Sequence, residues 1–178
     1  MKKMNTKRMV FLAIMTAGAL ALSVIENALP VPFVAPGARL GLANIMILTT
    51  MVLFGFWDGV LVAVLKSALL VLITGAVVSF FYSFVGSVLA VIAMYAAKRL
   101  LGRFLSNIGV SICGAVAHCF GQLLVASYFI DNIRVFTYFP ILILTGLFTG
   151  YFVGLVVNQL VKHIRKITEY SFVEWKYE

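Results

Sequence analysis

His118 and Gln122 stand four residues apart in an otherwise apolar stretch, so on a helix they share one face, which Gly114 extends. An imidazole beside a carboxamide can hold a ligand. To activate a nucleophile it would also need a serine or thiol and an orienting carboxylate, and no carboxylate lies near His118 in the sequence. The two aspartates, Asp58 and Asp131, are far apart in the chain. There is no aspartate-rich pair to hold magnesium against a diphosphate, no Gly-Lys-Ser/Thr loop to cradle a phosphate, and no metal-spaced His/Cys group. Cys113 and Cys119, six apart on one expected helix, point to different faces and suit neither zinc nor a disulfide; they read as small apolar core residues. These features predict a protein that is not an enzyme, uses no cofactor or metal, and hydrolyses no ATP by itself.

Binding is better provided for. The stretch "IENALPVPFVAPGARLGLANI", Ile25 to Ile45, carries Glu26, Asn27, Arg39, Asn44 and three of the four prolines. Arg39 lies beside the start of the expected second helix, where backbone N–H groups and a guanidinium both favour an anion. The prolines limit the loop's unfolded freedom, so it can order over a ligand at reduced entropic cost. Ser83 and Lys66 add polar groups inside later apolar segments. Lys66 suits two readings: its ammonium snorkels to the cytoplasmic side or pairs with a phospholipid, or it draws an anionic ligand inward. His118 and Gln122 likewise suit a cavity wall or a hydrogen bond between helices. The expected ligand contacts are Glu26, Asn27, Arg39, Asn44, Lys66, Ser83, His118 and Gln122.

What must position these groups is a membrane bundle. The 178 residues are 63% hydrophobic and 11% charged, against about 25% charged in a soluble domain, and mean hydropathy is +1.09. Six segments approach the ~17–25 residues that a membrane helix needs: Met9–Ile25, Leu40–Phe56, Gly59–Val78, Phe80–Ala97, Ile108–Ile130 and Phe136–Val161. The break between the third and fourth rests on Gly75, Ser79 and Ser83 alone. Formal net charge is +8, yet the Lys/Arg residues cluster at Lys2, Lys3, Lys7 and Arg8, at Lys98, Arg99 and Arg103, and at Lys162, Arg165 and Lys166. That is a topology signal and an attraction for anionic membrane lipids, not a nucleic-acid surface. With six spans, all three clusters fall on one side, which the positive-inside rule makes cytoplasmic together with both termini. The N-terminus imitates a secretory signal, but its removal would put the clusters on opposite sides, so the first helix is expected to stay. The expected fold is all-α: a six-helix transmembrane domain over residues 1–167, in the cell membrane, with a short cytoplasmic tail at 168–178.

Ala13, Ala17 and Ala21 recur every four residues on the first helix, a spacing that lets helix backbones approach closely. Three motifs go further: "ENALPVPFVAPGARLGLANI", "GAVAHCFGQLLVAS" and "GLFTGYFVGLVVN". Together they resemble the small membrane-protein family labelled heptaprenyl diphosphate synthase component I, also called the Gx transporter family, from Ala13 to Val161. That family is in turn similar to the substrate-binding S components of energy-coupling factor importers. The resemblance implies a six-helix bundle that captures a small molecule, anionic or related to isoprenoids or quinones, from outside. It also implies docking on a transmembrane coupling subunit driven by two ATPases, with Ala13, Ala17 and Ala21 as the docking row. The family's label implies the alternative, a membrane accessory subunit of isoprenoid synthesis.

Overall fold

A computed structural model describes residues 6–28 and 40–167. These form six α-helices with no strand among the described residues: α1 Thr6–Ala28, α2 Asn44–Phe54, α3 Phe56–Thr74, α4 Val77–Leu101, α5 Asn107–Ile130 and α6 Phe139–Ile167, with a 3₁₀ turn at Ile133–Tyr138 before α6. All except α2 are long and apolar enough to cross a membrane, which makes this a multi-pass membrane protein. Serine and threonine fit these apolar helices because Thr16, Thr50, Ser67 and Thr74 each donate to the carbonyl four residues back.

The second helix departs from expectation. A continuous apolar run from Leu40 to Phe56 predicts a full span, but α2 has 11 residues, about 16 Å, or roughly half of a ~30 Å hydrocarbon core. Glycines set both limits. Gly41, at φ +81°, shapes the turn that leads into the helix, with Asn44 N–H bonded to the Gly41 carbonyl at 2.9 Å. Gly55, at φ +107°, ends it. Being apolar on nearly every side, α2 is the central post of the bundle, packed against all five other helices.

The break between α3 and α4 is as short as expected. Gly75 takes the left-handed conformation at φ +65° and its N–H bonds to the Val71 carbonyl, so two residues reverse the chain. At the same end of the bundle, Asp131 in the left-handed conformation closes α5, and Asn132 Oδ1 accepts from Arg134 N–H to start the 3₁₀ turn. At the other end the Arg8 guanidinium is paired with the Asp58 carboxylate, tying the first turns of α1 and α3. Lys98, Arg99, Arg165 and Lys166 lie in the last turns of α4 and α6, so this is the basic end of the bundle.

Two glycine seams bind α4, α5 and α6. A Cβ built on Gly121 of α5 would lie 2.9 Å from Gly86 Cα on α4. On α6, Cβ atoms at Gly150 and Gly154 would lie 2.8 Å from Ile112 Cα and 2.5 Å from Ile108 Cα. Lipid tails are as apolar as leucine, so helices in a bilayer gain little by hiding apolar surface from one another. Close backbone contact, which these glycines permit, supplies the dispersion energy instead.

Candidate functional site

Buried polar side chains collect between two apolar clusters. One cluster fills the basic half around Leu12, Met15, Ile47, Leu48, Met51 and Met94. The other, around Tyr82, Cys119, Leu123 and Leu142, fills the far half between α4, α5 and α6. Between them are Glu26, Asn44, Lys66, Ser67, Ser83, Ser87, His118 and Gln122, none more than 5% exposed. Polar groups in a bilayer are costly and mark a partner, a cavity or a pathway.

The first part of this cluster is centred on His118. The Glu26 carboxylate, near the end of α1, accepts the backbone N–H of Gly41. A Cβ on Gly41 would lie 2.9 Å from Asn44 Nδ2 and 3.6 Å from His118 Cδ2, so three chain segments converge there. The imidazole lies against Gly86, where a Cβ would be 2.9 Å from Cε1 and 3.0 Å from Nδ1. Gln122 Nε2 is 3.1 Å from His118 Nε2. As placed, the amide donates and His118 Nε2 accepts, which requires a neutral ring with its proton on Nδ1. This bond runs along α5 itself. Gly86→Ala should displace the imidazole. The expected result is a weakened His118–Gln122 pair, read as a shifted histidine ring resonance by NMR, with the helices intact by circular dichroism.

The second part lies where α3 meets α4. Lys66 Nζ donates to Ser83 Oγ at 2.9 Å, and Ser67 Oγ is 3.0 Å from the same oxygen. Lys66 is 2% exposed, so it does not snorkel to the surface. Its position explains this: α3 starts at Phe56 rather than near Gly59, which puts Lys66 ten residues, about 15 Å, above the basic end. Ser83 and Gly86, three apart on α4, share a face and join this part to the His118 part.

Of the eight expected ligand contacts, six are therefore brought together in the interior: Glu26, Asn44, Lys66, Ser83, His118 and Gln122. Asn27 is on the exposed side of α1. Arg39 and the three prolines before it lie outside the described residues, as does the tail. Sequence reasoning passed over Ser67, Ser87 and Gly86. Their signal was available: a serine next to the one lysine within a span, and Ser83-x-x-Gly86-Ser87 facing it. Asn44 Oδ1, Thr49 Oγ1, Ser87 Oγ and Ser111 Oγ are buried without a hydrogen-bond partner among the described residues. Ala13, Ala17 and Ala21 are all on the exposed face of α1, opposite the buried Leu12, Met15, Thr16, Ala19, Ser23 and Glu26. Cys119 is buried in the far cluster and Cys113 is half-buried, both unpaired. Among the described residues no three metal-ligating side chains gather.

Comparison with known proteins bears on this arrangement. Residues 15–160 match the family described as heptaprenyl diphosphate synthase component I. No curated protein and no solved structure matches the chain.

Proposed function

The chain belongs to the heptaprenyl diphosphate synthase component I family, and on that premise we propose that it is a non-catalytic, substrate-binding membrane subunit of an energy-coupling factor importer. It would take a small molecule from outside the cell membrane, with both termini cytoplasmic as the basic clusters direct. Its partners would be a transmembrane coupling subunit and two ATPases. The observation that carries this reading is the enclosed set of Glu26, Asn44, Lys66, His118 and Gln122, contributed by four helices, α1, α2, α3 and α5. Such convergent polar groups in an apolar surround are the usual form of a small-molecule site. Arg39 would join them from the preceding connection.

The exposed alanine row gives this reading a second support. Ala17→Leu adds bulk on the outward face of α1 while Met15 and Thr16, on the inward side, stay as they are. The expected result is loss of the coupling subunit from the purified complex with ligand binding retained. Transport that survives the change would remove α1 as the docking helix.

The family's description favours a second reading, a membrane accessory to heptaprenyl diphosphate synthesis. Affinity purification of the tagged protein from its native membranes, followed by mass spectrometry, separates the two. Recovery of two ATPases and a membrane coupling subunit supports the importer. Recovery of a soluble prenyl synthase without ATPases overturns it.

A further inference from the structure

The connection from α5 to α6 turns its residues two ways. Val135 is buried in the far apolar cluster, and Phe136 and Phe139 both rest on the Phe120 ring, at centroid distances of 5.9 and 5.8 Å. These contacts fix the 3₁₀ turn on α5 and leave Arg134, Thr137 and Tyr138 exposed. With Asn132, Val135 and Ile141 the exposed three line an open groove of about 530 Å³, within the roughly 300–1,000 Å³ of small-molecule sites.

The polar groups of this groove are mostly donors. Asn132 uses its side-chain oxygen to accept the Arg134 N–H, which leaves the two protons on Nδ2. Thr137 uses its hydroxyl proton on the Arg134 carbonyl. The Arg134 guanidinium and the Tyr138 hydroxyl have no hydrogen-bond or ion-pair partner among the described residues. Even Asp131, three residues earlier, is not paired with Arg134, and no carboxylate among the described residues lines the groove. Arg134 is also the only Lys or Arg that the described residues place at the far end; Lys66 is interior and the others lie toward the basic end. The positive-inside pattern therefore does not account for it.

The neighbouring surface narrows the choice of acceptor. Tyr128 and Tyr138, 83% and 49% exposed, stand at this end of the bundle, and tyrosine settles at the headgroup level of a bilayer. Beyond Ile141 the exposed Leu144, Phe148 and Phe152 follow at steps of three and four along α6. They form one apolar stripe that runs from the groove into the hydrocarbon. A soluble anion would use the groove alone, whereas a phospholipid would use both groove and stripe. A head with net negative charge suits best, since a zwitterionic head brings a cation of its own beside the guanidinium.

We propose that this groove binds the phosphate of an anionic phospholipid from the leaflet opposite the basic clusters, with one acyl chain on the α6 stripe. The planar fork of Arg134 matches two phosphate oxygens, and Asn132 Nδ2 and the Tyr138 hydroxyl supply further donors. The site requires only that the chain spans a membrane, and it is separate from the interior polar cluster.

The test uses the full chain, delipidated in detergent, with native mass spectrometry to follow binding. The probes are phosphatidylglycerol, phosphatidylcholine and glycerophosphoglycerol, the last being the head group without its chains. One phosphatidylglycerol should be held about tenfold more tightly than phosphatidylcholine, and glycerophosphoglycerol should be weaker than the lipid by a similar factor. Arg134→Gln should weaken that phosphatidylglycerol about tenfold, whereas Arg165→Gln, at the basic end, should retain it. Arg134→Lys, which keeps the charge without the fork, should fall between wild type and Arg134→Gln. Because the Arg134 side chain is exposed and makes no bond among the described residues, its variants should share the wild-type thermal midpoint. If they do not, Tyr138→Phe, which removes one donor, should weaken phosphatidylglycerol several-fold with folding intact. Unchanged phosphatidylglycerol affinity in Arg134→Gln, or in Tyr138→Phe where it stands in, overturns the proposal. So does phosphatidylcholine bound as tightly as phosphatidylglycerol. Glycerophosphoglycerol bound as tightly as the lipid, and lost in Arg134→Gln, would make the groove a site for soluble anions and overturn its assignment to a phospholipid.

Discussion

Adding a single methyl group at Gly154 should cost this protein much of its stability, while the same change at Gly18 should be tolerated. A Cβ at Gly154 would lie 2.5 Å from Ile108 Cα and 3.2 Å from its Cβ. Backbone cannot swing aside as a side chain can. Retreat of α6 is also opposed, because Gly150 holds the next turn against Ile112 Cα at a would-be 2.8 Å. At Gly18 the nearest atom is the Met46 terminal methyl, at 3.0 Å, on a side chain with three rotatable bonds that can turn away. Alanine is favoured over glycine inside a helix by up to about 1 kcal/mol, so Gly18→Ala should leave the thermal midpoint unchanged or raise it. At Gly154 overpacking, on the order of 1–3 kcal/mol or more, should exceed that gain and lower the midpoint. Thermal unfolding of both variants in one detergent checks the contrast. A Gly154→Ala midpoint equal to that of Gly18→Ala would mean that α5 and α6 are farther apart than described here.

Glu26→Ala should be the most damaging single change among the polar residues of α1. The carboxylate is 5% exposed and accepts the N–H of Gly41. Gly41 has φ +81°, a conformation that side-chain-bearing residues rarely adopt, so the turn that presents this N–H to Glu26 depends on glycine. Removing the acceptor leaves a buried donor unsatisfied, at about 1–3 kcal/mol. The loss should spread to Asn44 and His118, which meet at the same glycine. Glu26→Gln keeps an oxygen at the same reach and should restore most of the thermal midpoint. Equal losses for alanine and glutamine would show that the charge of Glu26, rather than its bond to Gly41, holds this corner.

Hydropathy made the long helices readable, since it depends on what a segment contains rather than on what it touches. The reversal between α3 and α4 was marked only by Gly75 and two serines, and it falls three to four residues before the expected Val78–Phe80 break. Hydropathy misjudged α2, because an apolar run ending at Gly41 looks the same whether the glycine continues a helix or turns it. The interior position of Lys66 was hidden for a related reason. Whether a lysine snorkels or points inward depends on the helix phase and on where α3 begins, and that start differs by three residues from the expected one. Glu26, Asn44, His118 and Gln122 were legible as candidates from cost alone, since few forces other than a partner keep such groups in a bilayer. Their meeting at Gly41 and Gly86 was not, because it depends on two glycines far apart in the chain coming against one ring. The fourfold spacing of Gly146, Gly150 and Gly154 was visible, but which helix would fill that groove was not.

The glycines also divide the molecule by stiffness. In α4, α5 and α6 three of them abut backbone: Gly121 on Gly86, Gly150 on Ile112 and Gly154 on Ile108, while Gly86, Gly109, Gly114 and Gly146 lie nearest to side chains. On the other side, Gly18 and Gly59 abut the methionine side chains of Met46 and Met51, both on α2. Backbone against backbone resists shear, since any slide by less than a full turn brings Cα atoms into collision. Methionine yields by rotating its own bonds, at little cost. The protein is thus half clamp and half cushion, and α2 is the part set in the cushion. Displacement imposed on α1 from outside would be absorbed around α2 before it strained the α4–α6 block, and the Arg8–Asp58 pair would carry it into α3, the helix of Lys66.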